Sequence, residues 1–166
     1  MHAPEVHPFF HDDSNTWSYV VVDPASNSAA LIDTVLDYDY KSGRTSNASA
    51  MKLVDFVRRH GIGIEWLLET HAHADHLSAA HWLKAQHYPE ARIAIGSGIT
   101  QVQKAFRPVF NLGEHFPVDG SQFDHLFNDG EKFSIGQLQG EVIPVPGHTS
   151  DSNAFLIGDA LFVGDS

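Results

Sequence analysis

The residues with the clearest capacity for chemistry lie in one short stretch, residues 70–76, which reads Thr-His-Ala-His-Ala-Asp-His. Imidazole and carboxylate groups bind transition metals such as zinc, iron and manganese. A buried strand that ends in a polar loop directs alternate side chains, here His71 and His73, towards one point. We expect Asp75 and His76 to begin the next helix and to face a neighbouring point. The spacing leaves room for one metal ion or for two in a shared pocket.

Two further motifs follow this stretch in the chain. Residues 146–149 read Pro-Gly-His-Thr and contain His148, and residues 162–165 read Phe-Val-Gly-Asp and end at Asp165. The three motifs, in this order, resemble the HxHxDH, third-histidine and carboxylate motifs of the metallo-β-lactamase superfamily. The resemblance implies an α/β (α+β) fold of the metallo-β-lactamase type, an αββα sandwich, and a metal site built from these motifs.

Length and composition predict a single globular domain. The chain has 166 residues, of which 42 % are hydrophobic, which is enough to bury a substantial core. We therefore treat residues 1–166 as one metallo-β-lactamase-like domain. Because the superfamily fold continues after its carboxylate motif, we expect these residues to be its N-terminal portion, with the C-terminal part missing.

Charge and cysteine content exclude several kinds of partner and site. The formal net charge is −11 with ten Lys and Arg, so the surface repels phosphate backbones and no nucleic-acid partner is expected. The absence of cysteine excludes disulfides, thiolate nucleophiles and cysteine-bound zinc within this chain. The first residues contain neither a basic region nor a long apolar segment, so we expect no membrane partner and a cytoplasmic location. A homodimer is compatible with the sequence.

The elements around the motifs follow from residue patterns. Residues 16–22 and 29–33 are expected to form a hairpin that ends at Asp33, which we expect to orient the metal loop without binding a metal ion. Residues 34–47 read as a long irregular segment that either folds over the site or is a mobile surface loop. Asn47 or Ser49 is expected to cap the helix that follows, which Gly61 ends. A further helix is expected over residues 76–86.

Two metal chemistries are compatible with the motif residues. In a dinuclear hydrolase one metal ion is held by His71, His73 and His148. Asp75 and His76 hold the second metal ion, and Asp165 bridges the two. A water between two such ions becomes hydroxide near neutral pH and attacks a carbonyl group, as in lactamases and glyoxalase II thioesterases.

The other chemistry is a mononuclear oxygenase. It uses His71, His148 and Asp165 as a facial triad of two histidines and one carboxylate, which leaves positions on iron(II) for substrate sulfur and dioxygen. Spacing alone does not decide between the two chemistries.

Finer features resemble one branch of the superfamily. Three stretches resemble bacterial persulfide dioxygenases, the sulfur dioxygenase branch. They are the first motif together with Leu-Ser-Ala-Ala after it, the segment 42–45 (Ser-Gly-Arg-Thr), and residues 158–165. The resemblance implies one Fe(II) per chain, held by His71, His148 and Asp165, with two zinc ions or a mixed zinc/iron pair as the alternative. It also implies oxidation of glutathione persulfide, or a similar small thiol persulfide, by O2 to sulfite.

The candidate site therefore has two parts. Four residues are candidates for the metal site, namely His71, His73, His148 and Asp165. Asp75 and His76 are candidates for catalytic residues that handle protons. A third possibility, from another class, is an inactive fragment that only binds metal.

Overall fold

The computed structural model describes residues 3–166. Within them, three helices and thirteen strands are present. The helices are α1 (Ala48–His60), α2 (Ala80–Gln86) and α3 (Ile99–Val109). The strands are β1 (Glu5–His11), β2 (Thr16–Asp23), β3 (Ser28–Ile32), β4 (Val35–Asp39), β5 (Arg44–Ser46), β6 (Gly63–Leu68), β7 (Leu77–Ser78), β8 (Arg92–Gly96), β9 (His125–Phe127), β10 (Lys132–Ile135), β11 (Leu138–Pro144), β12 (Asn153–Ile157) and β13 (Ala160–Phe162).

The largest sheet has six strands in the order β1-β2-β3-β6-β8-β9. Strands β1, β2 and β3 pair antiparallel, whereas β3, β6, β8 and β9 run parallel. Alternate residues of its strands face opposite sides: Val20 and Leu31 pack with α1 and α2, and Val21 and Ile32 pack towards the second sheet. Strand β6 is continuously apolar at its end because this part of the sheet is covered on both faces.

The second sheet has four antiparallel strands in the order β10-β11-β12-β13. Its inner face meets the first sheet through aromatic residues, among which Phe127, Phe133 and Phe155 lie with ring centroids 5.0–6.0 Å apart. Helices α1 and α2, the six-stranded sheet and the four-stranded sheet are thus stacked as successive layers. This mixed α/β arrangement agrees with the sandwich fold that the motifs imply.

A small third sheet, in the order β5-β4-β7, replaces the irregular segment expected over residues 34–47. Strands β4 and β5 form a hairpin, and β7 pairs with the start of β4. The expectation that Asp75 and His76 begin a helix is wrong, because Leu77 and Ser78 are taken up in this sheet. Helix α2 starts only at Ala80, whose N–H donates to Ser78 Oγ at 3.1 Å.

Helix α1 ends at the predicted residue, but the side chain that caps its start differs from the prediction. Gly61 adopts the left-handed conformation at φ +63° and ends the helix as expected. Asn47 precedes the helix without capping it through its side chain. The capping acceptor is Asp37 of β4, which accepts the N–H of Ser49 at 2.9 Å and its hydroxyl at 2.7 Å. None of the helices in residues 3–166 combines the length and the apolar character needed to cross a bilayer.

Candidate metal centre

The candidate site lies at the carboxyl ends of the parallel strands β3 and β6. Asp33 follows β3, and its N–H donates to Leu68 O at 2.9 Å at the end of β6. Glu69 continues from β6 and donates its N–H to Ala94 O of β8 at 2.9 Å. Adjacent parallel strands end at the same edge of a sheet, so the polar residues that follow them are brought together. The metal loop, residues 70–76, starts from this edge.

A chain of hydrogen bonds fixes the orientation of the first motif histidine. Asp33 accepts the N–H and the hydroxyl of Thr70, both at 2.8 Å. Because the hydroxyl has one hydrogen and donates it to Asp33, Thr70 Oγ1 accepts from Nδ1–H of His71 at 2.9 Å. The lone pair of His71 therefore lies on Nε2. Asp33 acts on the metal loop through Thr70, in the way the sequence led us to expect.

His71 has the properties of a metal ligand. His71 is 1 % exposed, yet its Nε2 has no hydrogen-bond partner among the described residues. Burial, together with the charge of the neighbouring His73, lowers the pKa of His71 and keeps its ring neutral. A buried nitrogen lone pair without a donor is costly unless a cation meets it. The residues present therefore fit a metal ion at this position.

Two partners converge on this nitrogen. Asp165 Oδ2 lies 3.8 Å from His71 Nε2 and 3.4 Å from His148 Nε2. One ligand atom from each of the three residues lies within 4.8 Å of the others. His148 and Asp165 are about half exposed, in contrast to His71. Two imidazoles and a carboxylate thus form an open cluster with one buried corner.

Gly164 lets the carboxylate motif approach the metal loop. Its φ is +57°, a conformation that favours glycine, and a Cβ atom there would lie 2.6 Å from Thr70 Oγ1. A side chain at this position would displace the hydroxyl that connects Asp33 with His71. The glycine of the Phe-Val-Gly-Asp motif therefore has a steric role beside the candidate ligand Asp165.

His73 occupies a different environment from His71. Its Nε2 lies 2.8 Å from Glu69 Oε2 and 3.1 Å from Asp33 Oδ1, and all three side chains are nearly buried. Burial alone lowers the pKa of His73, but hydrogen bonds to Asp33 and Glu69 and their charges outweigh it and raise this pKa to about 11. Burial likewise raises the pKa of Asp33, and the bonds from His73 and Thr70 leave it below its usual value. His73 also comes within 4.8 Å of ligand atoms of His71 and Asp75.

Asp75 and His76 lie beside this cluster in the loop before β7. Asp75 Oδ2 accepts the Thr16 hydroxyl at 3.0 Å and lies 3.1 Å from His76 Nδ1. Burial raises the pKa of Asp75, but the hydrogen bond and charge of His76 and the Thr16 bond lower it to about 2. The other ring nitrogen of His76, Nε2, is buried and has no partner within residues 3–166.

Three residues of the site were given no role in the analysis of the sequence. Glu69 and Thr70 directly precede the histidines, and a polar pair immediately after a buried apolar strand was the available signal. Asp151 gave no such signal, because its role depends on a contact between distant segments. Its Oδ2 accepts the N–H of Ala72 at 3.0 Å, and its Oδ1 is buried without a partner in the described chain.

Two cavities open on either side of the metal loop. The larger, about 1030 Å³, lies between the β4–β5 hairpin and residues 73–77. The second, about 720 Å³, extends from His71 and His73 towards Ile95, Ile99 and Phe123. The metal loop thus has open space on both sides, which is sufficient for small ligands of the usual size, about 300–1,000 Å³.

The fold and the metal centre define a class of protein. Residues 11–166 match the family model of the metallo-beta-lactamase superfamily, and the chain belongs to this superfamily. Its members are metal-dependent enzymes. The resemblance to this superfamily that the sequence motifs indicated is therefore confirmed.

Relatives by sequence carry several names. The chain is 47 % identical over 155 residues to "Glyoxylase B2" of Dictyostelium discoideum, covering 93 % of this chain and 53 % of that protein. It is 47 % identical over 166 residues to a "Beta-lactamase hydrolase-like protein" of Agrobacterium fabrum, covering 99 % and 37 %. It is 25 % identical over 159 residues to the mitochondrial persulfide dioxygenase ETHE1 of Bos taurus, covering 95 % and 50 %. The chain thus spans about half the length, or less, of these relatives.

A solved structure supports the fold independently. The crystal structure of ETHE1 from Myxococcus xanthus superimposes with a TM-score of 0.69 at 24 % identity, covering 96 % of this chain and 56 % of that chain. At this identity the likeness concerns the fold.

Proposed function

We propose that the protein is a mononuclear non-haem iron persulfide dioxygenase, which oxidises glutathione persulfide or a similar small thiol persulfide to sulfite. The observation that carries this proposal is the convergence of His71, His148 and Asp165, two imidazoles and one carboxylate within 4.8 Å. Such a set, with open positions, is typical of non-haem iron(II) oxygenases. His73, which a dinuclear site would require, instead directs its Nε2 to Asp33 and Glu69.

The roles of the residues follow from their contacts. Iron(II) held by the triad supplies the redox chemistry that dioxygen needs in order to react with a persulfide. His71 presents Nε2 because Thr70 and Asp33 hold its Nδ1–H. Asp75 and His76 border the open cleft and are placed to accept and return protons. The buried environment of His71 excludes water from one side of the cluster.

The reaction is balanced with water as the third reactant. The outer sulfur of the persulfide loses four electrons and its bond to the carrier sulfur, and dioxygen gains these four electrons. Water supplies the remaining oxygen of sulfite. Of the three hydrogens of the persulfide and water, one protonates the carrier thiol and two are released as protons. The proton that Asp75 and His76 would handle is the one that moves between water and this thiol.

A second candidate is a dinuclear thioesterase of the glyoxalase II type. It is favoured by one observation in the structure, the buried and unpartnered Nε2 of His76 beside Asp75, which would suit a second metal ion. The name of the Dictyostelium relative points in the same direction. In that reaction a thioester carbonyl is attacked by hydroxide, and a carboxylic acid and a thiol are released.

The two functions differ in what they consume. The full-length protein should be prepared anaerobically, loaded with either iron(II) or zinc, and offered glutathione persulfide and a glutathione thioester in parallel. We expect oxygen uptake matched by sulfite with the iron form and glutathione persulfide, and loss of both in His148→Ala. Thioester hydrolysis by the zinc form, without oxygen uptake by the iron form, would overturn the dioxygenase and support the thioesterase.

A further inference from the structure

The larger cavity, which we call the hairpin cleft, connects the candidate catalytic residues with a charged surface. One wall is the β4–β5 hairpin with the turn 40–43, and the other is residues 73–77, including Asp75 and His76. The volume of about 1030 Å³ exceeds what a persulfide group alone would fill. A substrate whose reacting end lies beside Asp75 and His76 would therefore extend along the hairpin.

Three of the four carboxylates that line this cleft, those of Asp37, Asp39 and Asp75, have partners within the protein. Asp37 accepts two hydrogen bonds from Ser49 and lies 3.3 Å from His11 Nε2. Asp39 accepts the Lys41 N–H at 2.9 Å and the Ser42 hydroxyl at 2.7 Å. Asp75, as described above, binds Thr16 and His76. These negative charges are stabilised from inside the chain and do not need a ligand.

The cations of the cleft, in contrast, are free for a ligand. Lys41 and Arg44 are exposed, and neither forms an ion pair within residues 3–166, although Arg44 lies opposite Asp39 in the strand register. Lys41 Nζ lies 5.7 Å from the ring centroid of Tyr40, a side chain that is 77 % exposed. The chain has only ten Lys and Arg against twenty-one Asp and Glu. Lys41 and Arg44 are the Lys and Arg side chains that line this cleft, and they bring positive charge to it in a protein with few such residues.

We propose that Lys41 and Arg44 bind the carboxylates of a peptide thiol whose sulfur end reaches Asp75 and His76. The proposal rests on the proposed function in that this thiol is the carrier of the reacting sulfur. A glutathione-like carrier has two carboxylates and one ammonium group, which match two cations and a neighbouring acid. Asp13, which also lines the cleft and forms no ion pair in the described part of the chain, is placed for the ammonium group.

The test compares two double variants of the full-length protein. Lys41→Gln with Arg44→Gln removes the cleft cations, and Lys104→Gln with Arg107→Gln removes two cations of α3 that lie outside the cleft. Because both lose the same charge, any general electrostatic effect is equal. Exposed ion pairs each contribute a modest free energy, so we expect the Kd of reduced glutathione, measured by calorimetry, to rise about tenfold in the first variant only.

A kinetic measurement complements the binding measurement. The KM for glutathione persulfide should rise by a similar factor in the cleft variant with kcat nearly unchanged, while the KM for a persulfide without carboxylates, such as that of 2-mercaptoethanol, should stay constant. Equal glutathione affinity in the cleft variant and wild type, or an equal loss in the control variant, would overturn the proposal. Absence of oxygen uptake by the wild type would overturn the proposed function alone, since the binding measurement needs no turnover.

Discussion

Asp151 Oδ2 accepts the backbone N–H of Ala72 at 3.0 Å and thereby joins the loop of His148 to the metal loop. A second link lies beside it, where the N–H of Asn153 donates to Thr70 O at 2.9 Å. Gly98 makes room for this connection, because a Cβ atom there would lie 2.9 Å from Asp151 Cβ. The distance between the candidate ligands His71 and His148 is thus set by contacts between two loops that are far apart in sequence.

Replacing Asp151 should affect metal binding more than folding. In Asp151→Ala the N–H of Ala72 loses its acceptor, but a buried unpartnered oxygen is removed as well, so the two effects oppose each other. We expect the free energy of unfolding of the metal-free protein to change by less than about 1 kcal/mol. Metal affinity, measured by competition with a chelator, should fall about tenfold. Asp151→Asn retains an acceptor oxygen and should bind metal nearly as wild type, and an equal loss in both variants would argue against this role.

The hydroxyl of Thr70 should be necessary for the orientation of His71. Thr70→Val keeps the side-chain shape but removes the hydroxyl that donates to Asp33 and accepts from His71. We expect about a 10- to 100-fold loss of metal affinity, as is usual when the outer partner of a metal-binding histidine is removed. Thr70→Ser keeps the hydroxyl and serves as the control. Normal metal content in Thr70→Val would show that His71 needs no such partner.

Gly164→Ala has two destabilising effects, an unfavourable backbone conformation and a steric clash with Thr70. The same substitution at Gly130 has only the first. Gly130 has a similar backbone, φ +73°, but a Cβ atom there would meet nothing within 4 Å, whereas at Gly164 it would meet Thr70. Gly130→Ala should therefore lower the free energy of unfolding by about 1 kcal/mol, the cost of the backbone conformation alone. Gly164→Ala should cost more and should also reduce the metal content. The comparison requires urea unfolding and metal analysis, and equal behaviour of the two variants would refute the steric role.

The capping carboxylate Asp37 should make stability depend on pH. Burial raises its pKa, but the two Ser49 hydrogen bonds outweigh this and hold the pKa of Asp37 below its usual value of 3.8. A carboxyl group with a lowered pKa in the folded state stabilises the protein above its unfolded pKa, and this stabilisation is lost as the pH falls through the folded pKa. We expect wild type to exceed Asp37→Asn in stability by about 1 kcal/mol at pH 7.

The pH series tests this assignment directly. Urea unfolding at pH 7, 5 and 3 should show a smaller difference between wild type and Asp37→Asn at pH 3 than at pH 5. A difference that is independent of pH would show that the charge of Asp37 does not stabilise α1.

Local patterns predicted much of the fold. The hairpin of β2 and β3, the buried strand β6, and the end of α1 at Gly61 all follow from residues adjacent in sequence. The start of α1 did not, because its capping acceptor, Asp37, is twelve residues away. The start of α2 was placed too early for a similar reason, since Leu77 and Ser78 pair with β4 and this pairing depends on tertiary structure.

The sequence also predicted part of the candidate site. Motif spacing identified the residues that the structure brings together, His71, His148 and Asp165. It did not indicate that His73 would turn its Nε2 to Glu69 and Asp33, because that arrangement requires two buried acids to meet at adjacent strand ends. Asp33 alone was expected to orient the metal loop, and the structure shows that it does so through Thr70.

We propose that one metal ion is held by His71, His148 and Asp165 and that His73 is not required to hold it. The most direct measurement is the iron and zinc content per chain of the full-length protein purified anaerobically, for wild type, His73→Gln and His148→Ala. Gln at position 73 keeps an N–H donor for the two buried acids. We expect about one iron per chain in wild type and His73→Gln, and little in His148→Ala. Two tightly held metal ions per wild-type chain, or loss of the metal in His73→Gln, would contradict this assignment of the ligands.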